Sequence, residues 1–173
     1  MLPKLTFVLG GACSGKSLWA ENLIIRSQLD PVYLATSRIF DNEMQEKINR
    51  HKARRSGSWL DIEADCDLAG PLVSLRHTQA VLIDCATMWL TNLMMDDDDI
   101  PKAQSGLLAA IGCCRAPVVI VSNEVGQGIV PDNALARRFR EAQGHLNCAL
   151  AAQSDLAVFV VAGLPQVLKG DLP

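Results

Sequence analysis

The sequence predicts an α/β fold, in which a doubly wound, mostly parallel sheet is flanked by helices. Short runs that are apolar at nearly every position are typical of strands buried on both faces of a parallel sheet. Longer segments of helical character separate these runs, an alternation typical of β-α units. The chain has 173 residues, 49% of them hydrophobic, which is enough for a single domain, residues 1–173, to bury a substantial core.

The predicted strands and helices follow one another in regular order. Strands are expected at residues 5–9, 32–35, 80–83, 118–121 and 156–161. Helices are expected at residues 17–28, 42–55, 68–75, 101–113 and 133–152. Gly70 and Pro71 interrupt the third helix. Gly144 is an unfavourable interior residue of the last helix, for which Asp132 is the expected N-cap.

Composition and charge exclude several classes of protein. Charged residues make up 20% of the chain and the formal net charge is −3, so the basic excess of a nucleic-acid-binding protein is missing and no nucleic-acid partner is expected. No apolar run approaches the roughly 18 residues of a membrane-spanning helix. Residues 1–4 lead straight into the first strand, so no signal peptide and a cytoplasmic protein are expected. The four consecutive aspartates at 96–99 are expected to form a solvated loop.

The six cysteines do not indicate a disulfide framework or a zinc site. They form no C-x-x-C pair, and no histidine lies at zinc-ligand spacing from them. Reduced thiols are therefore expected, as in other cytosolic proteins.

The segment after the first strand matches the phosphate-binding P-loop pattern. It reads Gly10-Gly11-Ala12-Cys13-Ser14-Gly15-Lys16-Ser17. Glycines let consecutive backbone N–H groups curl around phosphate oxygens, and the positive end of the following helix points to the same place. Lys16 can then reach the terminal phosphates, and the Ser17 hydroxyl can bind Mg²⁺. A chance match in a glycine-rich turn is disfavoured by the strand before it and the helix after it, so the fold is predicted to be P-loop NTPase-like.

Residues that follow the other strands are the next candidates, because ligands of open α/β sheets lie beyond the carboxyl ends of the strands. Asp84 directly follows the third predicted strand, where P-loop enzymes place an acidic residue that holds Mg²⁺ through water. An ordinary turn former is the alternative for Asp84, and the P-loop favours the metal role. After the fourth strand, Asn123 and Glu124 precede Gly126 and Gly128. This segment is either a flexible loop or a second ligand site near the transferred phosphate.

The predicted helix 42–55 carries a basic cluster around a histidine. Helical spacing puts Lys47, His51 and Arg54 on one side. Cations near an imidazole lower its pKa, which favours the neutral, nucleophilic form, and they attract a triphosphate. Taken alone, these residues fit a basic surface helix better than a catalytic one.

Further motifs along the chain carry a family resemblance. They are Tyr33-Leu34-Ala35-Thr36-Ser37, His51-Lys52-x-Arg54-Arg55, Trp59-x-x-x-Glu63, Asp84-Cys85-x-Thr87-x-Trp89-Leu90-x-Asn92-Leu93, Ser122-Asn123-Glu124-Val125-Gly126-x-Gly128-Ile129-Val130-Pro131, Gly144-x-x-Asn147 and Gly163-Leu164-Pro165. With the P-loop, they cover essentially the whole chain. In this order they resemble the bifunctional adenosylcobinamide kinase/adenosylcobinamide-phosphate guanylyltransferases, which assemble the nucleotide loop of cobalamin.

The resemblance implies two reactions and a set of site residues. Adenosylcobinamide is phosphorylated by ATP or GTP with Mg²⁺, and GMP from GTP is then transferred to that phosphate through a GMP-histidine, which by motif position is His51. Lys16 is the second implied catalytic residue, and Ser17 and Asp84 are the implied metal ligands. The implied nucleotide contacts are Gly10, Gly11, Ala12, Cys13, Ser14, Gly15, Lys16, Ser17, Ala35, Thr36, Ser37, Lys52, Ala53, Arg54, Arg55, Glu63 and Asp84. Similar proteins form homotrimers, which implies the same assembly here.

Two departures and two alternatives accompany the resemblance. Cys13 stands where members of the family carry Arg, so one phosphate-binding cation is missing. The loop around residues 96–101 is short. The alternative functions are a conventional P-loop kinase, in which His51 is a surface residue, and a nucleotide-binding regulator without phosphoryl transfer. Lys16, Ser17 and Asp84 argue against the regulator.

Overall fold

A computed structural model describes residues 1–38, 46, 49, 52, 53, 55 and 57–173. The strands and helices of this part of the chain are β1 Leu5–Gly10, α1 Lys16–Ser27, β2 Asp30–Ala35, β3 Leu60–Glu63, α2 Ala69–Ser74, β4 Gln79–Asp84, α3 Ala86–Met95, α4 Ile100–Cys113, β5 Val118–Asn123, α5 Ala134–Gln153, β6 Leu156–Val161 and β7 Leu164–Lys169. Most of the predicted helix 42–55, including Lys47, His51 and Arg54, lies outside the described residues. Within it Glu46, Asn49, Lys52 and Ala53 are helical.

The strands form one seven-stranded sheet in the order β3-β2-β4-β5-β1-β6-β7. All neighbouring strands are parallel except the antiparallel pair β6 and β7. The predicted doubly wound, mostly parallel sheet is therefore confirmed. Strand β5 lies between β1 and β4, which sets the spacing of the loops that follow these strands.

Both faces of the sheet are covered, as the continuous apolar runs require. On one face Val8, Leu82 and Val121 pack with Ala20 and Ile24 of α1. On the other face the sheet packs against the remaining helices through the buried residues Phe7, Ile83, Ile120, Leu72, Trp89, Leu107, Ile111, Leu146 and Leu150. We call these the α1 face and the α5 face. Because side chains alternate along a strand, odd and even positions of β5 belong to different faces.

Two strands and one helix were not predicted from the sequence. Strand β3 alternates apolar and acidic residues and is largely exposed, and β7 is an exposed edge strand that contains Pro165. Neither has the apolar run of a buried strand, because an edge strand needs only one covered face, or none. Helix α3 begins directly after β4 and buries six of its ten residues, including Thr87 and Asn92. Its polar residues face the protein interior, so its sequence lacks the amphipathic pattern of a surface helix.

The cap of α5 and the aspartate run also differ from expectation. Asn133, and not Asp132, is the N-cap, since its side chain accepts a hydrogen bond from the Ala136 N–H at 2.7 Å. The aspartates at 96–99 are exposed as expected, yet two of them have structural roles. Asp99 caps α4 by accepting from the Lys102 N–H at 3.1 Å, and Asp96 accepts from both terminal nitrogens of Arg38 at 2.6 and 2.8 Å.

Two glycines predict opposite responses to alanine. Gly144 is an exposed interior residue of α5, and an added Cβ would meet nothing within 4 Å. Gly144→Ala should raise the free energy of unfolding by about 0.5–1 kcal/mol, because alanine loses less backbone entropy in a helix. At Gly170, where φ is +74°, a Cβ would overlap the Asp155 carbonyl group. Gly170→Ala should therefore lower the free energy of unfolding. Urea unfolding monitored by circular dichroism measures both; the same sign for the two variants would contradict this packing.

Candidate functional site

The P-loop has a curled conformation that depends on its glycines. Gly15 adopts φ 91° as the N-cap of α1, a left-handed conformation that favours glycine. A Cβ on Gly10 would lie 2.5 Å from Ser14 Oγ and 2.8 Å from the Val160 carbonyl oxygen. Lys16 begins α1, and its Nζ donates a hydrogen bond to the Gly11 carbonyl oxygen at 3.0 Å. The loop thus curls over the end of β1 with Lys16 folded across it.

Two neighbouring segments hold the P-loop in place. The Gly163 N–H, in the turn between β6 and β7, donates to the Ser14 carbonyl oxygen at 2.8 Å. This contact is so close that a Cβ on Gly15 would lie 2.9 Å from Gly163 Cα. On the other side the Glu124 N–H donates to the Gly10 carbonyl oxygen at 3.1 Å. The turns after β5 and β6 therefore position the loop after β1.

The remaining P-loop residues are accessible. Ala12 and Cys13 are exposed, and Cys13 has a left-handed φ of 54°. Ser17 is half-buried in the first turn of α1. Its hydroxyl is an oxygen ligand of the kind that Mg²⁺ prefers.

Asp84 lies at the carboxyl end of β4, as the sequence predicts. The Tyr33 hydroxyl donates a hydrogen bond to Asp84 Oδ2 at 3.0 Å. Burial, together with the neighbouring Asp84 carboxylate, raises the pKa of the Tyr33 phenol well above its usual value. The phenol therefore stays protonated, and Tyr33 remains a hydrogen-bond donor to Asp84 throughout the physiological pH range.

Residues 35–37 follow the neighbouring strand β2. Ala35 pairs with Asp84 in the parallel register, and Ser37 is half-buried beyond it. Thr36 is fully buried, and its hydroxyl both accepts from the Cys85 N–H and donates to the Cys85 carbonyl oxygen, each at 2.8 Å. The Thr36 side chain thus joins the ends of β2 and β4. Its backbone N–H donates to the Asp84 carbonyl oxygen at 3.3 Å and its carbonyl oxygen accepts from Asn92, so the polar groups of Thr36 are used within the protein.

Arg55 is buried, contrary to what a basic surface helix would require. Its side chain is only 3% exposed, and its guanidinium carbon lies 3.3 Å from the centre of the Tyr33 ring. Its Nη2 donates to both carboxylate oxygens of Asp61, at 3.0 and 3.1 Å. Trp59 packs edge-on against the same tyrosine, with 6.2 Å between ring centres. In this conformation the Arg55 guanidinium is covered and does not present itself to a triphosphate.

The other residues predicted from this segment are placed differently. Lys52 Nζ lies 3.8 Å from Glu63 Oε1, and both side chains are substantially exposed. Ala53 is exposed beside Lys52. His51 and Arg54 lie outside the described residues. The structure therefore brings Lys52 and Glu63 together in an exposed ion pair.

Several buried polar residues near the site had no role predicted from the sequence. Asn92 is fully buried and donates to the Thr36 and Asp65 carbonyl oxygens at 2.8 and 2.9 Å. Thr87, Gln143 and Asn147 are also buried at the end of β5. Except for Gln143, these residues belong to the motifs that carry the family resemblance. That resemblance was the only signal in the sequence that could have pointed to them.

The family assignment is decided by a comparison with known proteins. The sequence model of a family described as cobinamide kinase / cobinamide phosphate guanyltransferase matches residues 6–168. The chain belongs to this family. It is 41% identical over 167 residues to the bifunctional adenosylcobalamin biosynthesis protein CobP of Pseudomonas aeruginosa, and the match covers 95% of this chain and 96% of the relative. The CobU protein of Escherichia coli K12, described by the same words, is 38% identical over 181 residues, 95% of this chain and 99% of the relative.

The solved structures add evidence on the fold alone. An ATPase from the type III secretion system of pathogenic bacteria superposes with a TM-score of 0.60 at 11% identity, covering 96% of this chain and 57% of that protein. This member of the cobinamide kinase / cobinamide phosphate guanyltransferase family therefore has the predicted P-loop NTPase-like fold. None of the helices in the described part of the chain is long and apolar enough to cross a membrane.

The P-loop geometry predicts different effects of alanine at two of its glycines. Gly15→Ala should lower the free energy of unfolding by more than about 1 kcal/mol, because φ is +91° and the methyl group would press on Gly163. Gly11→Ala is the matched control, since a Cβ there meets nothing within 4 Å. Urea unfolding without nucleotide measures the difference. Equal stability of the two variants would show that the turn after β6 does not support the loop.

Proposed function

We propose that this chain phosphorylates adenosylcobinamide and then converts the product to adenosylcobinamide-GDP. The observation that carries the proposal is the arrangement of Lys16 and Asp84 at one edge of the sheet, in a chain that belongs to this family. Relatives at 38–41% identity over nearly their whole length are described as bifunctional adenosylcobalamin biosynthesis proteins. Both substrates are therefore small molecules: a nucleoside triphosphate, ATP or GTP, and the cobinamide.

The kinase step requires positioning and charge stabilisation. The substrate hydroxyl attacks the γ-phosphorus in line, the bond from that phosphorus to the bridging oxygen breaks, the nucleoside diphosphate leaves, and the hydroxyl proton passes to water. The backbone of residues 10–17 would bind the phosphates, and Lys16 would contact the β- and γ-phosphates. Ser17 and Asp84 offer the hard oxygen ligands that suit Mg²⁺, and the Tyr33 hydroxyl fixes the orientation of the Asp84 carboxylate. Bound there, Mg²⁺ would neutralise charge on the phosphates.

The guanylyl transfer is proposed to use His51 as nucleophile. An imidazole nitrogen attacks the α-phosphorus of GTP and pyrophosphate leaves. The phosphate of adenosylcobinamide phosphate then attacks the same phosphorus, breaks the P–N bond and releases the histidine. Lys52, Ala53, Arg54 and Glu63 are proposed to contact the guanine nucleotide.

Arg55 is proposed to act through its position in this segment. Its covered guanidinium holds the segment to Tyr33 of β2 and to Asp61 of β3. Ala35 and Ser37 are proposed to complete the nucleotide site beside Asp84, and the buried Thr36 holds them there by joining β2 to β4. Their place at the carboxyl end of β2 supports that role.

Assembly and location belong to the same proposal. We infer a homotrimer from the resemblance to proteins that assemble in this way. We infer a cytoplasmic enzyme because all six cysteines are free thiols, as is typical of a reducing compartment.

Lys16→Met tests the kinase assignment. The variant keeps the side-chain length but lacks the cation at the terminal phosphates, so phosphorylation of adenosylcobinamide should fall by at least about 100-fold. Transfer of label from γ-labelled triphosphate measures it, with circular dichroism as a check of the fold. Lys102→Met, on the exposed start of α4, is the matched control and should keep the wild-type rate. A folded Lys16→Met variant with normal turnover would contradict the proposed site.

His51→Asn tests the guanylyl transfer. The variant lacks the attacking imidazole, and the neighbouring Lys52, Arg54 and Arg55 carry no imidazole that could replace it, so the enzyme–GMP adduct and adenosylcobinamide-GDP should both disappear. Phosphorylation of adenosylcobinamide should continue, since it needs no adduct. Mass spectrometry after incubation with GTP and Mg²⁺ detects the adduct. His77→Asn and His145→Asn, at exposed positions, are the matched controls; an adduct on His51→Asn at the wild-type level would refute the role of His51.

A further inference from the structure

Four buried polar residues form a hydrogen-bonded cluster beneath the carboxyl end of β5. They are Thr87 of α3, Ser122 of β5, and Gln143 and Asn147 of α5, and we call them the polar cluster. Ser122 and Gln143 are fully buried, and Thr87 and Asn147 are 7% exposed. Ser122 Oγ donates to Asn147 Oδ1 at 2.7 Å, and Gln143 Nε2 donates to Ser122 Oγ and Asn147 Oδ1 at 3.0 and 2.9 Å. Apolar side chains would fill this volume at lower cost, because Gln143 Oε1 is left buried without a partner.

The polar cluster fixes the backbone of Asn123. The Asn123 N–H donates to Thr87 Oγ1 at 2.8 Å, and the Asn123 carbonyl oxygen accepts from Asn147 Nδ2 at 3.2 Å. Both backbone groups of this residue are therefore held by side chains of two different helices. The polar cluster sets the position and the direction of Asn123.

Strand alternation directs the Asn123 side chain to the α1 face. Its neighbour Ser122 faces the polar cluster on the α5 face, so Asn123 shares the α1 face with Val119 and Val121. Asp84 shares that face with Leu82, by the same alternation along β4. Lys16 is the first residue of α1, the helix that covers this face of the sheet.

The sheet register places Asn123 between the two parts of the proposed kinase site. Gly10, the first P-loop residue, is the partner of Asn123 in the parallel register of β1 and β5. Asp84 is the partner of Val121, so Asn123 stands about 7 Å further along the same face of the neighbouring strand. Among the described residues, the Asn123 side-chain amide has no hydrogen-bond partner, and the residue is half-buried at the edge of the site.

We propose that Asn123 is a further catalytic residue of the phosphoryl transfer. Its amide Nδ2 donates a hydrogen bond to an equatorial oxygen of the γ-phosphoryl group as the hydroxyl attacks and the diphosphate leaves. Negative charge is spread over these oxygens in the transition state, so a neutral donor on a rigid strand stabilises it without reorganisation. Thr87 is the positioning residue that acts through the Asn123 backbone. This inference rests on the proposed kinase function and predicts no role at the α-phosphorus.

The experiment compares both half-reactions in the same variants. With γ-labelled triphosphate, Asn123→Ala should lower kcat for adenosylcobinamide phosphorylation about 100-fold, with a nearly unchanged KM for the triphosphate. Asn123→Asp, which keeps the shape but places an anion beside the phosphoryl group, should lower it at least as much. The enzyme–GMP adduct should form from GTP at the wild-type rate in both. Gln166→Ala, exposed on the edge strand β7, is the control for loss of a side-chain amide and should be unchanged.

Variants of Thr87 distinguish a positioning role from general damage to the fold. Thr87→Val removes the hydroxyl that accepts from the Asn123 N–H and should lower kcat severalfold, whereas Thr87→Ser keeps the hydroxyl and should restore it. Wild-type kcat in Asn123→Ala, or an equal loss of phosphorylation and adduct formation, would overturn the role of Asn123. If the wild type leaves adenosylcobinamide unphosphorylated, the proposed function fails, and hydrolysis of the γ-phosphate by water tests Asn123 by the same comparison. A wild type that transfers the γ-phosphate to neither acceptor overturns both.

Discussion

The parallel pairing of β1, β4 and β5 is the constraint on which the rest of the structure depends. Parallel strands end at the same edge, so the loops that follow them must meet there. Because β5 lies between β1 and β4, the P-loop and Asp84 are separated by the width of one strand, and the last residue of β5 fills the space between them. The P-loop is then fixed from both sides, by the Glu124 N–H after β5 and the Gly163 N–H after β6. Each of these contacts joins segments that are far apart in the sequence and near only because of strand order.

Burial of Arg55 shows a second constraint, between β2, β3 and the segment that precedes β3. A guanidinium with only 3% exposure and two nitrogens without hydrogen-bond partners is costly. The stacking on Tyr33 offsets part of this cost, because a desolvated cation–π contact contributes on the order of 2 kcal/mol, and the Asp61 carboxylate compensates the charge. The same tyrosine donates to Asp84. One ring thus joins a residue of the proposed guanylyl-transfer segment to a residue of the proposed metal site, so the two sites share a structural element.

The strands and helices that could be predicted from the sequence are those marked by a local pattern of residues. The apolar runs of β1, β4, β5 and β6 are buried on both faces, which is why they could be recognised, and the P-loop spacing placed Lys16 at the start of α1. Edge strands β3 and β7 were not predicted, because their exposed residues form no comparable apolar run. Helix α3 was not predicted, because some of its buried residues are polar and make tertiary hydrogen bonds, such as those of Asn92 to Thr36 and Asp65.

The candidate site, too, could be predicted from the sequence only in part. Asp84 could be placed because it ends a recognisable strand. The contacts of Tyr33 with Asp84 and of Arg55 with Tyr33 could not be predicted, since they depend on strand order and on how residue 55 packs against β2. A basic segment in a sequence also suggests solvent-exposed cations, whereas here Lys52 is exposed and Arg55 is buried. Charge alone therefore did not separate exposed cations from buried ones.

Cys13 shows how little the shape of the P-loop depends on the side chain at that position. The residue is exposed and adopts a left-handed φ of 54°, which costs a non-glycine residue roughly 1–2 kcal/mol. No described hydrogen bond involves its thiol, whereas Ser14, Gly15 and Lys16 are each held by contacts with Gly163 or Gly11. The loop is thus shaped by its glycines and by the turn after β6. An arginine at position 13, which the family resemblance leads us to expect, would add a cation at the rim of the loop. Cysteine at this position leaves the backbone cradle and Lys16 in place.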